Sequence, residues 1–286
     1  MGLFKKKPVY TPPVRNDRPV EVRYDLERVY GWDWSSDHIR TDDGEAAICQ
    51  IRVYNKDGVP MEWATFPEYT DMTDTCIRES KNPFAPQPEI ANYTRRYKIV
   101  HIYQNTFNSL TLSNVGHSVK CFVIPKTVTS IGGDVFGYSG SKIIVPDGLL
   151  EIGKGALFSG GKSFAYMLKY IANYYEGGYY FGSTTNPYVV LLYADSEYEN
   201  FTIHPDTKII DHDAFESRPQ KTKHIVIPAG VRFIGRQNCS LYFDDIKFED
   251  TIGWYKLPYN DYRGCADPIR TPDKLSFDDG MRKKQK

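Results

Sequence analysis

The chain lacks any apolar stretch near the roughly 18–20 residues that a membrane helix needs; its longest apolar run is Tyr188–Ala194. The basic start, Met1-Gly-Leu-Phe-Lys-Lys-Lys-Pro8, has no apolar core behind it and does not read as a secretory signal. A cytoplasmic location is therefore expected, with the cell surface by a non-standard route as the alternative. Cysteine is scarce. The five residues, Cys49, Cys76, Cys121, Cys239 and Cys265, include no pair with the two-residue gap of a zinc knuckle or redox motif. Reduced, mostly buried thiols are expected, not a disulfide framework. An excess of either charge is also missing. Lys+Arg and Asp+Glu both total 36, which argues against a nucleic-acid binder with its basic surplus. No G-x-G-x-x-G, phosphate loop or nucleophile elbow occurs, so no cofactor is expected.

What the chain does hold is tyrosine, 22 residues against 15 Phe and 4 Trp. A ring with a polar tip suits a half-buried pleated surface, so this content favours strands. The 22 Gly and 18 Pro suit many short elements joined by turns. Residues 1–18 read as a flexible basic arm and 259–286 as a polar basic tail. Residues 19–98 read as a β-rich module. Val20–Tyr24 and Ala46–Tyr54 alternate like half-buried strands. Asp57-Gly58 marks a hairpin turn with Met61–Phe66 as the returning strand, and Pro83–Pro88 reads as a linker.

From about residue 99 the chain repeats itself. Phe122–Phe136, Ile143–Leu157 and Ile225–Cys239 can be laid under one another. In each, a Pro (Pro125, Pro146, Pro228) is followed by an aliphatic after three residues, an Ile after three more, and then a Gly. The first two prolines are 21 residues apart, the length of one solenoid coil. A fourth copy, Phe201–Phe215, is one residue shorter between Pro205 and Ile210, and Ile102–Phe107 is a degenerate earlier one. A coil of this size cannot bury its own apolar positions. Stacked coils can, with each Ile lying against the Ile above and below. The Gly after Ile is expected to permit a sharp corner, and the stack needs closed ends.

The pattern resembles the BspA-like leucine-rich repeats, over about residues 99–258. Tyr179–Leu191 is similar to a hairpin that the family often inserts between coils. Ile246–Trp254 is similar to its closing segment, with Asp250 in place of the usual Gly. The resemblance implies a mainly β fold, a short leucine-rich-repeat β-solenoid of about five coils, with residues 164–200 as a Tyr-rich insert. It implies recognition and no shared catalytic residue.

The candidate binding residues are aromatic. The insert carries Tyr166, Tyr170, Tyr174, Tyr175, Tyr179, Tyr180, Tyr188, Tyr193 and Tyr198. Phe164, Met167, Leu168 and Ile171 recur at helical spacing and predict a short amphipathic helix over 164–175. Tyr174, Tyr175, Tyr179 and Tyr180, which flank Gly177-Gly178, are the preferred recognition patch. Trp32 and Trp34 are a second candidate, for gripping a sugar or a peptide. Asp211-His212-Asp213 has the residue types of acid–base machinery, but falls at a coil corner, where polar side chains cap turns. His117, His204 and His224 are solitary, and Asp42-Asp43-Gly44 lacks the other ligands of a calcium loop. No catalytic residue and no metal site are expected. The functional expectation is a non-enzymatic scaffold that binds a protein partner and no nucleic acid. The alternatives are a structural subunit of a larger assembly and a carbohydrate-binding or adhesive surface protein.

Overall fold

A computed structural model describes residues 20–24, 32–40, 44–55, 61–78, 89–106, 119–137, 139–159, 161–195, 201–216, 223–238, 243–258 and 271–284. Within them the chain is mainly β. The strands are β1 (Val20–Tyr24), β2 (Trp32–Arg40), β3 (Glu45–Asn55), β4 (Met61–Thr65), β5 (Tyr69–Arg78), β6 (Glu89–Ile102), β7 (Val119–Val123), β8 (Ser130–Ile131), β9 (Lys142–Ile144) and β10 (Glu151–Ile152). Helix α1 (Gly161–Ile171) leads to β11 (Asn173–Tyr175), β12 (Gly178–Phe181), β13 (Val190–Ala194), β14 (Ile209–Ile210), β15 (His224–Ile227), β16 (Phe233–Ile234), β17 (Asp245–Phe248) and β18 (Trp254–Lys256). Helix α2 (Lys274–Asp279) and β19 (Met281–Lys283) complete the order.

Two sheets carry the isoleucines in register. The first runs β1-β2-β3-β6-β8-β10, with β5 also on β6. In it Ile48, Ile102, Ile131 and Ile152 stand opposite one another, through parallel pairings. The second runs β11-β12-β13-β14-β16-β19-β18. There Leu191, Ile210, Ile234 and Met281 line up. All eight side chains are buried, each worth about 1.5–3 kcal/mol of transfer free energy. A further parallel set, β4-β7-β9, aligns Ala64, Phe122 and Ile143.

The repeated sequence makes the same local structure each time. The N–H groups of Val128, Leu149 and Val231 donate to the carbonyls of Pro125, Pro146 and Pro228, at 3.1, 3.1 and 3.0 Å. In the fourth copy the N–H of Thr207 donates to His204 at 3.0 Å. His204, Thr207 and Ile210 thus hold the places of Pro125, Val128 and Ile131. The apparent one-residue deletion is a proline set one position late in a repeat with the same turn-to-isoleucine spacing. The third residue after Ile102, Ile131, Ile152, Ile210 and Ile234 turns left-handed: Asn105, Asp134, Gly155, Asp213 and Gln237 have φ of 54, 52, 69, 59 and 63°. Gly, Asn and Asp tolerate that region best. At four of these corners the N–H reaches the next layer, from Asn105 to Gly133, Asp134 to Lys154, Asp213 to Arg236 and Gln237 to Asp278.

The glycine after each Ile does a different job from the one expected. Gly132, Gly153 and Gly235 do not have positive φ. A Cβ on them would lie 2.2, 2.4 and 2.4 Å from the backbone of Gln104, Gly133 and His212 in the adjoining layer. They are needed for close approach of neighbouring backbone segments, not for the corner.

Several expectations are corrected. The strand at 61–65 forms, but pairs in parallel with β7 instead of returning along β3; burial of Ala64 beside Phe122 outweighs the local turn signal. The boundary at 98/99 falls inside β6, and one apolar core joins Ile48, Ala64 and Phe66 to Ile131, Ile152 and Val190. Residues 271–284 are no solvated tail: α2 and β19 bury Phe277 and Met281, and β19 lies antiparallel between β16 and β18. The predicted helix is α1, ending at Ile171, after which Asn173–Tyr175 turns to strand. The arm at 1–18 and Pro83–Pro88 lie outside the described residues.

Candidate functional site

The Tyr-rich insert divides into a packed half and an exposed half. β11 and β12 form a hairpin through Glu176 and Gly177, both at positive φ. β12 then pairs with β13, so Tyr180 opposes Leu191. This pairing buries Tyr179 and Tyr180, at 5% and 0% exposure, and takes their rings out of any surface patch. Burial pushes the Tyr179 hydroxyl up to about 12, with Asp195 adding to the effect. The Tyr180 hydroxyl is raised further by burial, and accepts the N–H of His204 at 3.2 Å. Tyr175 is half-buried. Its ring meets the edge of His204 at 4.6 Å and lies 5.7 Å from Tyr188, which itself stacks on His204 at 3.9 Å. Tyr175 therefore serves its own chain's packing.

Tyr174 keeps 49% exposure, with its ring 5.1 Å from Tyr179. On α1, Leu168 is buried while Tyr166 and Tyr170 are 61% and 86% exposed. Residues four apart share a helix face, so these two rings form one outward pair. The sequence signal was present: the apolar set 164, 167, 168 and 171 leaves 166 and 170 on the opposite side. Trp32 and Trp34 lie in β2, in register with Asn55 and Val53.

The Asp211-His212-Asp213 corner lies where the two ladder sheets meet. Asp211 is buried, its Oδ1 accepting the N–H of His212 at 2.7 Å. Burial drives its carboxyl well above the ordinary range, and nearby Asp213 works in the same direction. Asn238 Nδ2 donates to the carbonyls of Asp211 and Gly235 at 3.2 and 2.7 Å. His212 Nε2 lies 3.2 Å from the carbonyl of Ile152 and Nδ1 accepts the N–H of Arg236 at 3.1 Å. Asp213 pairs with Lys154 at 2.9 Å. Both ring nitrogens and the Asp211 carboxylate thus serve backbone bonds, and Asp213 occupies the corner position held by Asn105 and Asp134 elsewhere. A shallow cleft beside them is lined by Lys154, Phe158, Ser159, Tyr193 and Glu216. The arrangement is one of turn capping and sheet joining.

His224 is exposed on β15, and His117 and Asp42-Asp43 lie outside the described residues. Among the described residues no three His, Cys, Asp or Glu gather to hold a metal ion, and no helix is long and apolar enough to cross a membrane. Cys121 is buried, and burial pushes its thiol up. Compared with known families, curated proteins and solved structures, the chain matches none.

Proposed function

We propose that the chain is a non-enzymatic interaction protein: a short leucine-rich-repeat-like solenoid that holds a protein partner through an exposed tyrosine face. The solenoid reading is supported by the recurring layer of turn, ladder aliphatic, close-contact glycine and left-handed corner. It extends the stack back to Ile48 and forward to Met281, beyond the segment that resembles BspA-like repeats. Cores of this kind hold a surface rigid, which lowers the entropic cost of binding.

The observation that carries the binding reading is the outward set Tyr166, Tyr170 and Tyr174. Tyr supplies large contact area with few rotatable bonds and a hydrogen-bonding tip, and is enriched where partners bind most tightly. The test is affinity capture from native extract with wild type against a Tyr166→Ala/Tyr170→Ala/Tyr174→Ala variant. These side chains are exposed, so the variant keeps the core intact. A protein retained by wild type and lost by the variant supports the reading. Equal recovery overturns the tyrosine face, and retention of glycans instead favours the carbohydrate-binding alternative.

A further inference from the structure

The first ladder sheet ends at β10 and the second begins elsewhere in the chain. Side chains span the junction. Arg232 donates to the carbonyls of Asp147 and Leu149, both at 2.5 Å. Arg282 meets Glu151 at 2.6 Å, and Lys154 reaches Asp213 and Gln237. Apolar contacts add Val190, Ile209 and Phe233 to the core that holds Ile152. His212 also crosses the junction, to the Ile152 carbonyl, and unlike arginine and lysine an unperturbed histidine changes charge in the physiological range.

Its bonding fixes its state. The Arg236 donor is a backbone N–H, so Nδ1 must present a lone pair. The Ile152 partner is a carbonyl, so Nε2 must carry the hydrogen. Only the neutral Nε2–H ring satisfies both. A second proton on Nδ1 would set two N–H groups against each other and break the Arg236 bond.

We propose that His212 is a pH-operated latch between the segments that follow β14 and β16, closed when the ring is neutral and released from the Arg236 N–H when it is protonated, while Nε2–H stays on the Ile152 carbonyl. The groups around it set the balance. Its own corner supplies Asp211 and Asp213, the coil after β10 supplies Lys154, and the coil after β16 supplies Arg236. The cleft wall adds Glu216 and Tyr193. Burial lowers the ring's affinity for a proton, and Lys154 and Arg236 act in the same direction. The Ile152 carbonyl and Asp213 oppose them. A lowered value means that the latch's contribution to stability is fully present above about pH 6.5, the unperturbed histidine value. It is lost as pH falls from there through the folded value. Asp211 has the opposite sign, losing its buried charge as pH falls. The test must therefore read the latch locally instead of through global unfolding.

The experiment is amide hydrogen exchange of the full chain at about pH 7.5 and about pH 5, corrected for intrinsic rates, with imidazole nitrogen shifts of His212 measured alongside. The expected result is an Nε2–H tautomer at the higher pH and a loss of Arg236 amide protection of roughly tenfold or more at the lower. His212→Gln offers a donor and an acceptor without titrating, and is expected to abolish that pH dependence. His204→Gln is expected to leave it unchanged. An Nδ1–H tautomer or a charged ring at the higher pH overturns the proposal. So does unchanged Arg236 protection in wild type, or a loss that persists in His212→Gln. Should His212→Gln fail to fold, the tautomer and the wild-type exchange decide alone.

Discussion

Phe277→Ala separates a structured C-terminus from a solvated one. The residue sits in α2, fully buried, with its ring 5.8 Å from that of Phe215 in the fourth sequence repeat. Asp273 caps the helix: its carboxylate accepts the N–H of Ser276 at 2.8 Å, while the Ser276 hydroxyl accepts the N–H of Asp273 at 3.2 Å. Immediately after α2, β19 pairs with both β16 and β18, and the Gln237 corner binds the Asp278 carbonyl. The antiparallel strand β19 covers the edge that β16 would otherwise expose. Truncating a buried Phe removes transfer free energy and leaves a cavity, costing about 3–5 kcal/mol. A fully solvated residue would cost within about 0.5 kcal/mol. Urea unfolding followed by tryptophan fluorescence and by far-ultraviolet circular dichroism measures the difference. A cost under about 1 kcal/mol, with an unchanged denaturant slope, would refute the closing role.

Other predictions follow from the layers. Ile131→Ala, between Ile102 and Ile152, is expected to cost about 2–5 kcal/mol, whereas Lys126→Ala, whose 80% exposed side chain meets Glu68 at 3.4 Å, changes stability by about 0–1 kcal/mol; thermal and chemical unfolding compare them. Gly153→Ala forces a Cβ within 2.4 Å of the Gly133 nitrogen, so it is expected to destabilise by about 1–3 kcal/mol despite the small change in side chain. Asp211→Asn keeps an acceptor for the His212 N–H and removes a buried charge. Because burial raises the Asp211 carboxyl, its ionised form loses stability as pH rises through the folded value. The variant is therefore expected to match or exceed wild-type stability at neutral pH, and a loss there in unfolding titrations would contradict the assignment.

Much of the layer was legible because the apolar pattern has a fixed step. Pro125, Val128 and Ile131 recur as Pro146, Leu149 and Ile152, and β1, β3 and α1 follow simple alternation or helical spacing. The reasons behind some positions were not legible. That Gly153 lies against the Gly133 backbone is a fact of tertiary packing, not of local sequence. The fourth repeat reads as short because Pro205 is displaced from the turn that His204 opens. The partner of β4 depended on Phe122, almost sixty residues away, against a strong local turn signal. The C-terminal segment is polar overall, which masked Phe277 and Met281; the Asp273-x-x-Ser276 spacing ahead of Phe277 was the available clue. At the candidate face, Gly177-Gly178 suggested exposure of Tyr179 and Tyr180. Pairing of β12 with β13 buries them, and leaves Tyr166, Tyr170 and Tyr174 outside.

The most direct test of the interaction role is site-specific photo-crosslinking in native extract, with the photoreactive group placed at position 170 and, as a control, at position 126. A discrete protein adduct is expected from position 170 and none of it from position 126. No protein adduct at 170, or the same adducts from both positions, would contradict it.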